Sequence, residues 1–257
     1  MAKKNYFKII FIFSLISSLS TGISVSGEKS KFTIGVEDYK NFLPYSDYKK
    51  GKYSGLGKEI LQFFAKEKGY SFNYKVYPLK RRDLLFIDEK LDFIFPDNPA
   101  WITEQKAGKK IQYAPMLEFT DGVVVLPENK GRGLKFLKKL GVPLGFTPVH
   151  YLDAIATGRI KTISNAHYDG LYKQVLINRI DGAYVNIQIT RYYQNKNKTP
   201  ENDRLVFDPD LPHATGYWHL SSIKYPRIIS DFNIFMEQNK KEIDLLKKSS
   251  GLTSSKK

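Results

Sequence analysis

The stretch from Tyr53 to Pro115 constrains the fold more than any other part of the chain. Gly55-Leu56-Gly57 opens it as a turn. Ile60, Leu61, Phe63 and Phe64 follow at helical spacing, and Gly69 closes the helix. Residues 71–77 alternate as a strand. Pro78-Leu79-Lys80-Arg81 turns into a second helix, and Leu91-Asp92-Phe93-Ile94-Phe95 reads as a second strand. A helix–strand–helix–strand run is the pattern of an α/β lobe with a largely parallel sheet. Such sheets gather ligands beyond the carboxyl ends of their strands. Here those loops hold Tyr77, Lys80, Arg81, Asp97, Asn98 and Trp101.

The flanking sequence extends the pattern. Residues 31–36 form a first strand, and the loop after it carries Tyr39, Phe42, Tyr45 and Tyr48, aromatic rings able to stack on a ligand or to cover the sheet edge. Thr103 reads as the N-cap of a further helix. Residues 111–116 lead out to an apolar strand over 122–126. A second α/β alternation follows: a helix over 134–140, a strand over 142–146, a helix over 151–157 and a strand over 160–163. An amphipathic helix over 168–178, a strand over 181–185 and a helix over 187–193 complete it. Residues 205–211 cross back, 214–221 form a returning strand, and helices over 225–238 and 240–248 end the fold. The expected architecture is two α/β lobes: residues 28–120 with 209–257 as the first, 121–208 as the second, with crossings near 118–126 and 205–212. Two crossings permit a hinge, and a hinge lets lobes close on a ligand.

Composition narrows the function classes. With 257 residues, 42% hydrophobic and 14% aromatic, the chain can bury a sizeable core. The first 27 residues carry Lys3, Lys4 and Lys8, no acid, an apolar run over 9–19 and then small residues, Ser24-Val25-Ser26-Gly27. That order predicts a cleavable export signal, and the run falls short of the roughly 20 residues a bilayer span needs. Cysteine is absent, which excludes disulfides, thiolate metal sites and a cysteine nucleophile. These features suit a soluble periplasmic monomer. The four histidines, His150, His167, His213 and His219, lack metal-ligand spacing, so no metal or cofactor is expected. No nucleophile elbow, zinc-protease helix or phosphate-cradling glycine loop is present. The net charge of +15 comes from lysines scattered along the chain, the pattern of a solvated face and not of a nucleic-acid interface.

Four segments together resemble the bacterial extracellular solute-binding proteins of family 3. Residues 53–61 (Tyr-Ser-Gly-Leu-Gly-Lys-Glu-Ile-Leu) look like that family's glycine-then-helix entry. Residues 90–95 look like its Asp-containing strand, Tyr113-Ala114-Pro115 stands where it has an aromatic-Ser-x-Pro turn, and residues 178–185 look like its second-lobe Gly-Arg-x-Asp-Ala strand. The resemblance covers about residues 31–252. It implies a two-lobed periplasmic binding protein that takes a small solute, with an ABC-transporter permease as a partner.

The resemblance also implies site positions, and several depart from the family's pattern. The arginine that grips an α-carboxylate in amino-acid binders falls at Lys106, which lacks the bidentate fork. The second-lobe carboxylate falls at the uncharged Asn186, and the Gly-Ser/Thr-Thr turn falls at Thr147-Pro148-Val149. Residues 77–81 resemble a Pro-Trp-x-Arg variant, which makes Arg81 the cationic anchor. The expected site is therefore Tyr39, Tyr45, Tyr77, Arg81, Asp97, Asn98, Trp101, Lys106, Thr147 and Asn186, holding a polar or anionic solute. An enzyme on the same scaffold, such as a dehydratase or lyase, and a sensory module without transport are the alternatives.

Overall fold

The computed structural model describes residues 29–38 and 42–252. The expected export signal and Tyr39 lie outside the described residues. Among those described, no helix is long and apolar enough to cross a membrane.

Strand β1 (Ser30–Glu37) is followed by a small hairpin, β2 (Asp47–Lys49) and β3 (Lys52–Ser54), inside the aromatic loop. Helix α1 (Leu56–Lys68) buries Leu56, Ile60, Leu61 and Phe64 and ends at Gly69, whose φ of 70° is the left-handed stop that glycine adopts without strain. Gly57 must be small: a Cβ there would sit 2.4 Å from the Phe95 ring. Strand β4 (Tyr70–Tyr77), helix α2 (Leu79–Ile87) and the fully buried strand β5 (Phe93–Asp97) complete the expected run. Helix α3 (Thr103–Lys106) is one turn long. Its cap position is Ile102, at φ 46°, and not Thr103, which makes no capping hydrogen bond.

The two segments expected at 111–116 and 122–126 are one strand, β6 (Gln112–Val125), 14 residues long. The helix expected over 134–140 does not form. Turns lead instead into β7 (Lys139–Pro143), because Asp181 Oδ2 accepts the backbone N–H groups of Lys138 and Lys139 at 2.7 Å each and β7 pairs on both sides. Sheet pairing overrides a local helical tendency here. Then come α4 (Leu152–Ala156), β8 (Lys161–Asn165), α5 (Tyr168–Leu176), β9 (Gly182–Asn186) and α6 (Ile187–Lys196). The short β10 (Val206–Phe207), the long β11 (Ala214–Ser222), α7 (Pro226–Gln238) and α8 (Lys240–Ser249) close the chain.

One curled sheet runs β4-β1-β5-β11-β6-β9-β7-β8, with β10 on β6. Pairing is parallel within β4-β1-β5 and within β9-β7-β8, and antiparallel across the central strands. The ends of this sheet form the two lobes, and β6 runs through both: residues 112–121 pair with β11, and residues 121–125 with β9 and β10. Pro115, which has no N–H to donate, sits where the β6–β11 register shifts between Trp218 and His219.

Each half of the sheet buries both faces. In the first lobe, Phe93, Phe95, Ile34 and Val36 pack against α1 and α7 through Phe64, Phe232 and Phe235. On the opposite face, Ile94 meets Phe86 of α2 and Leu91. In the second lobe, alternate residues of β6 divide between two clusters, Val123 and Val125 with Leu140 and Tyr184, Val124 with Ala183, Val185 and Leu171. Phe64 is fully buried among Tyr70, Phe72, Phe232 and Phe235. Phe64→Ala is expected to cost about 3–5 kcal/mol in urea unfolding. Leu245→Ala, at a residue 67% exposed, is expected to change stability by less than about 0.5 kcal/mol.

Candidate functional site

The carboxyl ends of β1 and β5 carry acids, Glu37 and Asp97, and both are almost wholly buried. Two cations answer them. Arg82, in the first turns of α2, has no exposed surface. Its Nη1 donates to Glu37 Oε1 at 2.9 Å and to the Pro96 carbonyl at 2.8 Å, and its Nε and Nη2 donate to Asp83 Oδ1 at 3.0 and 2.7 Å. Lys106, on α3, donates to Asp97 Oδ1 at 2.7 Å and to the Asn98 carbonyl at 2.8 Å. His219 of β11 sets its Nδ1 3.3 Å from the Asp97 carbonyl, and Tyr113 meets the His219 ring edge-on. Charge-assisted bonds of this length are strong, and breaking one leaves an uncompensated buried charge.

A second polar group lies beside the shared strand. Asn186 caps α6, its Oδ1 accepting from the N–H groups of Gln188 and Ile189 at 3.1 Å each. Its Nδ2 donates to Asp121 Oδ1 of β6 at 3.0 Å. Tyr45 is also buried here. Its hydroxyl donates to the Glu118 carbonyl at 3.0 Å, and its ring stands edge-on to Trp218.

The structure thus sorts the expected site residues into groups. Asp97, Asn98 and Lys106 are hydrogen-bonded together. Tyr45 and Asn186 meet beside the shared strand, with their polar ends satisfied inside the protein. Tyr77 and Arg81 meet at the surface, the exposed guanidinium 5.4 Å from the ring. Trp101 is half-buried against the first-lobe core, and Thr147 is exposed on the second lobe. Sequence reading did not single out Glu37, Arg82 and Asp121, all held in ion pairs or hydrogen bonds here. Arg82 shares the inward face of α2 with Phe86, and Arg81 lies on its exposed face. Asp92 and Asp181 tie neighbouring segments of the sheet, Asp92 accepting from the Thr33 N–H of β1 at 2.8 Å and pairing with Lys224, and Asp181 accepting from the N–H groups of Lys138 and Lys139 at β7.

Burial dominates the electrostatics. It pushes the Glu37 carboxyl up to about 7 against the opposing charge of Arg82, and the nearby Asp83 and Asp97 carboxylates add to the rise. Burial likewise raises Asp121 to about 6, opposed by the Asn186 hydrogen bond, and lowers His219. Both carboxyls lie above their ordinary values of 4.5 and 3.8 when folded. The unfolded chain therefore binds fewer protons than the native state between those values and the raised ones. Stability is accordingly expected to fall as pH rises through that window, up to about 7. Thermal unfolding from pH 4 to 8 checks this, and Glu37→Gln is expected to flatten the slope. Arg82→Met is expected to cost about 3–5 kcal/mol at pH 8, whereas Arg81→Met at the surface costs less than about 0.5 kcal/mol.

No protein-family model matches the chain, and no curated protein does. Solved structures do. Substrate-binding domain 2 of GlnP from Lactococcus lactis, in an open conformation, superposes with a TM-score of 0.63 at 14% identity, over 90% of this chain and 99% of that one. An ABC uptake transporter substrate-binding protein from Streptococcus pneumoniae with bound histidine gives 0.62 at 16% identity, over 86% and 92%. An ancestral amino-acid-binding protein described as a precursor of cyclohexadienyl dehydratase gives 0.61 at 18%, over 86% and 95%. At these identities the likeness is one of fold, and it covers nearly the whole of each neighbour: the chain has the two-lobed fold of the periplasmic solute-binding proteins.

Proposed function

We propose that the protein captures a small polar solute between its lobes, outside the cytoplasm, and presents it to a membrane transporter. The lobe limits in this reading are 28–120 with 209–257, and 121–208, so that the hinge falls in β6 and in the link between β10 and β11. The observation that carries it is the charge buried at the ends of β1 and β5, where an α/β sheet places its ligands. Buried ions are costly to maintain, and a functional site is a common reason to keep them.

The inventory of hydrogen bonds narrows the polar-or-anionic expectation. The Lys106 ammonium is held by Asp97 and Asn98, and the Arg82 guanidinium by Glu37, Asp83 and Pro96. On the two strand-end acids, the buried carboxylate oxygens Glu37 Oε2 and Asp97 Oδ2 lack a partner among the described residues. A solute that brings N–H or O–H donors completes this set, and a bare carboxylate does not.

A thermal-shift series with amines, amino acids, sugars and dicarboxylates tests the reading. A solute present at about a hundredfold excess over its Kd stabilises the native state by about 2.7 kcal/mol. A donor-rich solute is expected to raise the melting temperature, and Glu37→Gln to reduce that rise. If no solute class shifts it, the reading fails. A second reading, an enzyme such as a dehydratase or lyase on the same scaffold, is favoured by one observation, the Glu37 carboxyl poised at about 7. Mass spectrometry of the bound solute after incubation separates the two: a binder returns it unchanged.

A further inference from the structure

A groove of about 620 Å³ lies between the β2–β3 hairpin, α1 and β4. Five consecutive residues of β4, Phe72 to Val76, line one side, and Lys52, Tyr53 and Ser54 of β3 line the other. Among the described residues, strand β4 is the edge of the large sheet and pairs only with β1, and strand β3 pairs only with β2. Two strands with an unpaired side therefore border one slot, and an unpaired strand edge is a template for an added strand.

The chemistry of the slot selects what could be added. Its lining includes Lys52, Lys58 and Lys75 and no aspartate or glutamate. Lys52 and Lys75 are exposed. Lys58 donates to the Tyr53 carbonyl at 2.9 Å and holds its ammonium 5.6 Å from the Tyr74 ring, with donors to spare. Tyr53 and Tyr74 pack ring on ring at 5.4 Å and give an apolar floor with Phe72. The hydroxyls of both tyrosines are buried without a hydrogen-bond partner, and Tyr53 is only 5% exposed. A second copy of the chain is a poor occupant, because edge-to-edge pairing would bring the same lysines face to face.

We propose that this groove binds an extended acidic peptide segment of a partner protein, which adds as a strand along the free edge of β4. Main-chain hydrogen bonds to β4 hold the segment, the lysines pair with its acidic side chains, and the tyrosine floor takes its apolar ones. The groove is lined by β3, α1 and β4, with Tyr53 between it and the Glu37–Arg82 pair, and its occupation needs no solute.

Fluorescence anisotropy with labelled peptides tests this on the full chain. The probe is an octapeptide of alternating glutamate and valine. A charge-matched control of the same sequence with every backbone nitrogen N-methylated cannot donate to a strand edge in either register. The first is expected to bind in a salt-sensitive way and the second to bind at least about tenfold more weakly. The double variant Lys52→Glu/Lys75→Glu is expected to lose about tenfold in affinity, while Lys240→Glu/Lys241→Glu, the same charge change on α8, is expected to leave it unchanged. Both are checked by circular dichroism to be folded. Hydrogen exchange is expected to show protection of β4 amides on binding. Equal binding of the two peptides, equal loss in the two variants, no binding at millimolar peptide, or a dimer that forms through this edge would each overturn the proposal.

Discussion

Everything in this molecule hangs on the pairing of one strand. Strand β6 belongs to both lobes: Ala214 to Ser222 of β11 run back along its residues Asp121 to Gln112, while its far end carries β9 and β10. The parallel strands on either side are built from local α/β units, and each unit buries its own faces. The register shift opposite Pro115 lies inside the first-lobe part of the sheet, among Ala114, Leu117, Trp218 and Leu220 of its core. The two halves are joined where β6 passes from its pairing with β11 to its pairing with β9, and a twist of the strand at that point can change the angle between lobes.

The same geometry explains where the charges went. Parallel strands end in loops on one side of the sheet, so Glu37 and Asp97 arrive together although 60 residues separate them in the chain. Side chains in that position lose water on folding. Arg82 and Lys106 limit the penalty by direct pairing, at the cost of leaving their own donors nearly saturated. Tyr45 and Asn186 tie the second polar group to β6 in the same way, one through Glu118 and the other through Asp121. Phe146, beside Thr147, sits edge-on to Tyr168 of α5 and packs beside both neighbouring core clusters.

Much of the fold was legible in the chain because its signals are local. The glycine-bounded α1, the alternating β4 and the apolar stripe of α7 each declare themselves by period alone. Residues 134–140 misled because their spacing suits a helix, while the carboxylate that recruits Lys138 and Lys139 into a strand lies more than 40 residues away. The site was harder to read. Helix α2 exposes Leu79 and Leu84 and buries Arg82 and Asp83, the reverse of an amphipathic expectation, because the acids it must meet are supplied by other strands. A second arginine beside Arg81 carried no local mark of burial. Glu37 and Asp97 stand at the ends of their strands in the sequence, which was the one signal available.

The central claim is that the shared strand lets the halves close on a solute, and an interlobe distance tests it most directly. The chain has no native cysteine, so Leu79→Cys at the start of α2 and Val149→Cys in the loop after β7 can carry a pair of spin labels at exposed positions. Electron–electron double resonance would then be recorded with and without the solute that gives the largest thermal shift. The distance is expected to shorten and its distribution to narrow when the solute is bound. An identical distribution in both states, with binding confirmed in the same sample, would contradict closure about β6.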